Sequence, residues 1–131
     1  MSIDTQNDPY NHLVRALFAN PDHAGVLEGG IVVSNADQGI RIELSARVTE
    51  HRVERLRYRA WGCPHCIAAC EALAAKLEGG PTGDLENFSS ARFMQSLAVP
   101  AEKSARILVI EDTVRQLGKA LRDPTASERQ N

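Results

Sequence analysis

Residues 40–66 read IRIELSARVTEHRVERLRYRAWGCPHC, and this stretch decides the architecture. Ile40, Ile42, Leu44, Ala46 and Val48 alternate with Arg41, Glu43, Ser45 and Arg47, the period of two of a strand with one buried and one wet face. A polar turn at Thr49-Glu50-His51 follows, after which Leu56, Tyr58 and Ala60 alternate with Arg55, Arg57 and Arg59. The two runs predict an antiparallel hairpin with a charged outer face, on which Glu43 pairs with one of the arginines. At Trp61-Gly62-Cys63-Pro64-His65-Cys66 the period changes. Cys66, Cys70, Leu73 and Leu77 fall on one helical face, and Gly79-Gly80-Pro81 ends that helix. An extended segment therefore runs directly into a helix at Cys63.

Upstream, Tyr10, Leu13, Val14, Leu17 and Phe18 recur at helical spacing, with Asp8 as N-cap candidate, Pro9 at the first helical position and Asn20-Pro21 as the stop. Gly25 to Val33, with Gly29-Gly30 inside, reads as an irregular strand carrying a bulge or a close backbone contact. Downstream, Asp84 to Leu97 reads as one or two short helices. Ala101 to Leu121 reads as a long helix with Ile107, Val114, Leu117 and Leu121 facing the core. Three strands followed only by helices predict an α+β fold, a small three-stranded antiparallel sheet with helices packed on one face.

With 131 residues the chain has the length of one domain. Its 15 Lys+Arg against 17 Asp+Glu leave a net charge of -2, which supplies no electrostatic reason to expect nucleic acid or an anionic membrane. No apolar run approaches the roughly 18 residues that span a bilayer, and the polar start MSIDTQNDPYNH lacks the pattern of a secretory signal, so a cytoplasmic location is expected. All three cysteines lie within residues 63–70. That clustering points to metal or redox chemistry rather than to a disulfide framework.

Three chemistries compete for Cys63, His65 and Cys66. As a cysteine at a helix start, Cys63 faces the positive end of the backbone dipole, which favours its thiolate, and Pro64 suits the first turn because its missing N–H would have had no partner. In a redox reading Cys63 attacks a disulfide and Cys66 resolves it, as in thioredoxin-like oxidoreductases that carry Cys-Pro-His-Cys. In a metal reading Cys63 and Cys66 are two ligands, and His65 or a distant carboxylate completes a zinc, iron or iron–sulfur site. In the third, Cys66 and Cys70 are small core residues continuing the Leu73 and Leu77 stripe. Elsewhere, Arg41, Arg47, Arg55, Arg57 and Arg59 read as a solvated sheet face balanced by Glu43, Glu50 and Glu54. His12, His23 and His51 read as surface or helix-end residues, and Trp61 as core.

The order of elements resembles the U-type iron–sulfur cluster scaffold family, the IscU and NifU N-terminal domain. The resemblance runs over roughly residues 9–121 and rests on Asn20-Pro21 after the first helix, the Gly-containing first strand, the hairpin, Trp61-Gly62-Cys63 entering an Ala-rich helix, and Glu111-Asp112 in the long helix. It implies one scaffold-like domain over residues 1–121 and a polar C-terminal tail over 122–131. The family holds its cluster with three cysteines, an aspartate after the first and a histidine before the third. Carried over by position, the second cysteine is Cys63, while Asp37, Gly39, Ala105 and Arg106 stand at the other four places.

The resemblance thus implies a non-enzymatic scaffold for iron–sulfur cluster assembly. It would bind an iron–sulfur cluster, iron or zinc at Cys63 with help from Asp37, His65 or Cys66, and accept sulfur at Cys63. Implied partners are a cysteine desulfurase and cluster-acceptor or chaperone proteins. The alternatives are a thiol-disulfide oxidoreductase using Cys63 and Cys66, or a binding module without a cluster.

Overall fold

The computed structural model describes residues 12–19 and 21–122. Its elements are α1 (His12–Ala19), β1 (Ile31–Asp37), β2 (Ile40–Thr49), β3 (Arg52–Trp61), α2 (Pro64–Leu77), α3 (Gly83–Glu86), α4 (Ala91–Ser96) and α5 (Ser104–Arg122). A 3₁₀ turn at Ala101–Lys103 leads into α5. Asp8, Pro9, Tyr10, Asn20 and the tail beyond Arg122 lie outside the described residues.

The sheet has the order β1-β2-β3 and is antiparallel throughout. Both connections are two-residue hairpin turns, Gln38-Gly39 and Glu50-His51, and all four residues have positive φ. That is the type I′ geometry whose twist matches the strands it joins. On the inner face Ile40, Ile42, Leu44 and Ala46 of β2 and Val53, Leu56 and Tyr58 of β3 are at most 3% exposed. Against them pack α2, through Cys66, Ala69, Cys70 and Leu73, and α5, through Ile107, Ile110, Val114 and Leu117. The expected α+β architecture is therefore the observed one.

Three local expectations are corrected. The register slips at Arg47/Val48, so the bulge lies late in β2 rather than at Gly29-Gly30, and Val48 is turned out to solvent. Upstream, β1 begins only at Ile31. The close backbone contact anticipated there is made by Gly30, where an added Cβ would lie 2.8 Å from the Ala46 carbonyl oxygen. Trp61 is 47% exposed: it lies on the outer face beneath Arg41 and Arg59, whose guanidinium carbons are 4.9 and 5.7 Å from its ring centre. Arg59 also pairs with Glu43 at 2.9 Å, so the expected cross-strand ion pair is present.

His23 is likewise not a simple surface residue. Its backbone N–H and ring Nδ1 both bond the carboxylate of Glu71, a residue only 3% exposed on α2, and its Nε2 lies 3.3 Å from Glu78. Tyr58 donates its hydroxyl to the same Glu71 carboxylate. Burial, reinforced by that carboxylate, holds the Tyr58 hydroxyl well above the usual phenol range. This network ties the segment before β1 to α2 and clamps the helix against β3.

Helix α3 packs on α5 at a glycine. A Cβ on Gly118 would lie 2.8 Å from both Cγ and the backbone nitrogen of Glu86 and 3.0 Å from Cβ of Leu85. Helix propensity favours alanine over glycine by about 1 kcal/mol, whereas overpacking costs about 1–3 kcal/mol. Gly118→Ala is expected to lower unfolding free energy by about 1 kcal/mol in urea titration; an increase would show that α3 yields without cost.

Candidate functional site

Strand β3 ends at Trp61 and α2 begins at Pro64, so two residues carry the chain from sheet to helix. Gly62 makes the corner close: an added Cβ would lie 3.3 Å from Cγ1 of Ile40 and 3.5 Å from Cβ of Cys66. Cys63 is the N-cap in extended conformation, and its carbonyl accepts the N–H groups of Cys66 at 2.9 Å and Ile67 at 3.2 Å. Its side chain makes no capping bond to the backbone, so the sulfur is left for other partners.

The nearest partner is Cys66, whose Sγ lies 3.4 Å from that of Cys63. The two thiols differ in surroundings. Cys63 is half-buried, whereas Cys66 and Cys70 are fully buried. Burial opposes ionisation of Cys63, but hydrogen bonds from the Cys66 backbone N–H and thiol, the Lys103 charge and a hydrogen bond from Arg106 outweigh it. The thiol is held below its ordinary range. Cys66 is pushed the other way, up to about 12, first by burial and then by its proton being held against Cys63. Burial drives Cys70 up as well, in keeping with its expected place in the core.

His65 is fully buried, and its Nδ1 faces the Lys103 ammonium at 3.4 Å. Burial, aided by that ammonium, lowers its pKa and keeps the ring neutral. Asp37 is exposed at the β1–β2 turn, where its carboxylate accepts the Gln38 N–H at 2.8 Å. Among the described residues, no three His, Cys, Asp or Glu side chains gather into a set able to hold a metal ion. Of the four donors anticipated from the sequence, Cys63 and Cys66 are brought together. His65 and Asp37 are not gathered with them into such a set.

The place where further donors would be expected is cationic instead. Arg106 reaches across from the first turns of α5, with its guanidinium 3.6 Å from where a Cβ on Gly39 would lie, and helps to favour ionisation of Cys63. Lys103, three residues earlier, supplies the second positive charge. Sequence reading placed Arg106 at the third family cysteine but did not assign it to the Cys63 sulfur, and it missed Lys103. The i, i+3 spacing of two basic residues at the start of the long helix was the available signal. Beside the turn, Tyr58, Ala60, Trp61 and Ile67 line an open groove of about 550 Å³. Later in α5, Glu111 accepts the backbone N–H and hydroxyl of Ser90, at 2.7 and 3.1 Å, and so holds the start of α4.

The antiparallel sheet removes the wider likeness to thioredoxin-like oxidoreductases, which need a parallel βαβ unit; what is shared with them is the tetrapeptide and its sulfur pair. Among the described residues, no helix is long and apolar enough to cross a membrane.

Comparison with known proteins agrees with the architecture. A bifunctional protein NifU/MnmA of Rubrobacter xylanophilus is 35% identical over 87 residues, which cover 63% of this chain and 18% of that protein. The chain thus spans less than a fifth of that relative's length. The crystal structure of a nitrogen-fixing NifU-like protein (N-terminal) from Brucella abortus matches with a TM-score of 0.70 at 13% identity, covering 86% of this chain and 94% of that one. A protein from Fervidobacterium Islandicum AW-1, described as an iron–sulfur cluster assembly scaffold for the SUF system, matches with a TM-score of 0.65 at 13% identity, over 80% of this chain and 93% of that one. At such identities the two structures speak for the fold, and the family follows from the sequence match of residues 9–123 to the NifU-like N terminal domain model. The chain belongs to the NifU-like N-terminal domain family.

Proposed function

We propose that the protein serves iron–sulfur cluster assembly as a sulfur-accepting scaffold, with Cys63 as the acceptor. One observation carries the reading: a half-buried sulfur has its ionisation favoured by the Lys103 charge and by Arg106, while among the described residues no three donors gather to hold a metal ion. Cations beside a sulfur favour its anionic, nucleophilic form and disfavour a metal cation at the same point. Transfer from a persulfide donor requires such a thiolate, because the thiolate is the attacking species. Membership of the NifU-like family supplies the process, and the Cys63 turn supplies the step.

Iron enters this reading as cargo. Cys63 and Cys66 offer two sulfur ligands, and a tetrahedral site needs four, so further donors such as Asp37 or His65 would have to move in or be brought by a partner. The sulfur donor partner is a cysteine desulfurase, and the recipients are cluster-acceptor proteins. The exposed Trp61 and half-buried Ile67 lie within four residues of Cys63 in sequence and line the groove beside the turn.

Ionisation of Cys63 is testable directly. Its folded value is depressed, so the reactive thiolate is present at a lower pH than in an ordinary thiol and is lost as pH falls through the depressed value. Iodoacetamide should label Cys63 before Cys66 and Cys70. In Arg106→Ala and Lys103→Ala the labelling midpoint should move to higher pH, with rates several-fold lower at neutral pH. Identical pH profiles for wild type and both variants would remove the electrostatic argument.

Sulfur acceptance is tested by anaerobic incubation of the intact chain with a cysteine desulfurase and cysteine, followed by whole-protein mass spectrometry. Wild type should take up sulfur, either kept as added mass or released as sulfide, and Cys63→Ser should do neither, while iron alone should bind weakly to both. Tight stoichiometric iron binding by wild type with no sulfur transferred would overturn the reading in favour of a metal site.

A further inference from the structure

The second sulfur at the turn has no role in sulfur acceptance alone. Cys66 is fully buried, its Sγ lies 3.4 Å from that of Cys63, and the two are three residues apart across the first turn of α2. Residues at that helical spacing lie within the separation a disulfide spans, so little backbone movement separates the contact from a bond. Cys66 is fully buried and Cys63 half-buried, so of the two sulfurs Cys63 is the one that a sulfur donor reaches first.

We propose that Cys66 is a resolving thiol that discharges Cys63 persulfide as sulfide. The proposal rests on the reading that Cys63 accepts sulfur. In the step, the Cys66 sulfur attacks Sγ of Cys63 in line with the bond to the outer sulfur. The Cys63–Cys66 bond forms, the bond from Cys63 to the outer sulfur breaks, and the outer sulfur leaves with that bonding pair. Cys66 yields its proton to water as its sulfur attacks and the departing sulfur takes one up from water, so a Cys66 thiol and a Cys63 persulfide anion become one disulfide and one hydrosulfide ion. The two cysteines are together oxidised by two electrons and the outer sulfur is reduced by two. An external dithiol, protein or small molecule, then exchanges with the disulfide and restores both thiols.

Two features of the site suit this step. Lys103 and Arg106 stand beside Cys63, where negative charge grows on the departing sulfur, and a preformed positive environment stabilises such charge without reorganisation. The chemistry also meets a requirement of the process. Cluster sulfur is sulfide, two electrons more reduced than the transferred sulfur of a persulfide, and the Cys66 pair supplies those electrons where sulfur is delivered. Cys70, fully buried one turn deeper, takes no part.

The test uses the full chain without oxygen. Wild type, Cys66→Ser, Cys66→Ala and Cys63→Ser are exposed to inorganic polysulfide and desalted. Each is then followed by whole-protein mass spectrometry and by assay of released sulfide, with circular dichroism to confirm folding. Wild type should release about one sulfide per chain and lose the mass of two hydrogens, the signature of one exchange into a disulfide. Both Cys66 variants should keep one added sulfur and release at least tenfold less, and Cys63→Ser should show neither change. If folded wild type retains its added sulfur as long as the Cys66 variants do, the discharge step is overturned and sulfur acceptance stands. If neither wild type nor the Cys66 variants gain or release sulfur, acceptance itself fails and the inference falls with it. Because wild type alone must show both disulfide and sulfide, a variant that misfolds leaves the decisive measurement intact.

Discussion

Everything at the Cys63 turn depends on the inner face of one hairpin being buried under two helices. Ile42, Leu44 and Leu56 are fully buried and Tyr58 nearly so, and sequestering each such side chain from water contributes about 1.5–3 kcal/mol. That burial sets the register, because a slip of one residue would turn Arg41, Glu43 and Arg59 inward. With the register set, the end of β3 must lie opposite Ile40 and the start of α2 must pack immediately on it. The sulfur of Cys63 is consequently placed by the core and not by a flexible loop.

The same arrangement explains why the charges around the site differ so much from one end of α2 to the other. At the start of α2, the cations Lys103 and Arg106 surround an ionisable thiol. Further along, Glu71 and Glu78 are met by His23, Arg57 and the Tyr58 hydroxyl. The acidic groups are satisfied within the structure, so the carboxylates nearest to α2 in sequence are engaged in holding it in place. Asp37 likewise serves its own turn. Among the described residues, the two donors brought into contact at the turn are the sulfurs of Cys63 and Cys66.

Much of this was legible in the sequence. Alternation in residues 40–46 and 55–60 gave both strands and a cross-strand pair of Glu43 with one of the arginines, which is Arg59, and the change of period at Cys63 marked the handover to α2. The long helix and its buried residues Ile107, Val114, Leu117 and Leu121 followed from spacing alone. What was missed depends on contacts distant along the chain. Val48 still alternates in sequence, yet a bulge turns it out; Trp61 is apolar, yet two arginines cover it on the wet face. The pairing of His23 with Glu71 spans 48 positions, and nothing local announces it. Lys103 and Arg106 were legible only as basic residues at a helix start, because periodicity does not say which neighbouring element a helix end will meet.

Replacing donors by cations changes what a scaffold turn can do without changing the fold that presents it. A ligand set closes on a metal ion and neutralises it, which requires several anionic or neutral donors converging within coordination distance. A thiol whose ionisation is favoured by a neighbouring ammonium and guanidinium is suited instead to nucleophilic attack on an electrophilic sulfur. A second thiol in van der Waals contact adds the one reaction that a bound sulfur then undergoes without leaving the chain, displacement by a neighbour. In the proposed reading the arrangement handles sulfur rather than holding iron, through the spacing of two residues in one helical turn and the identity of two residues in another.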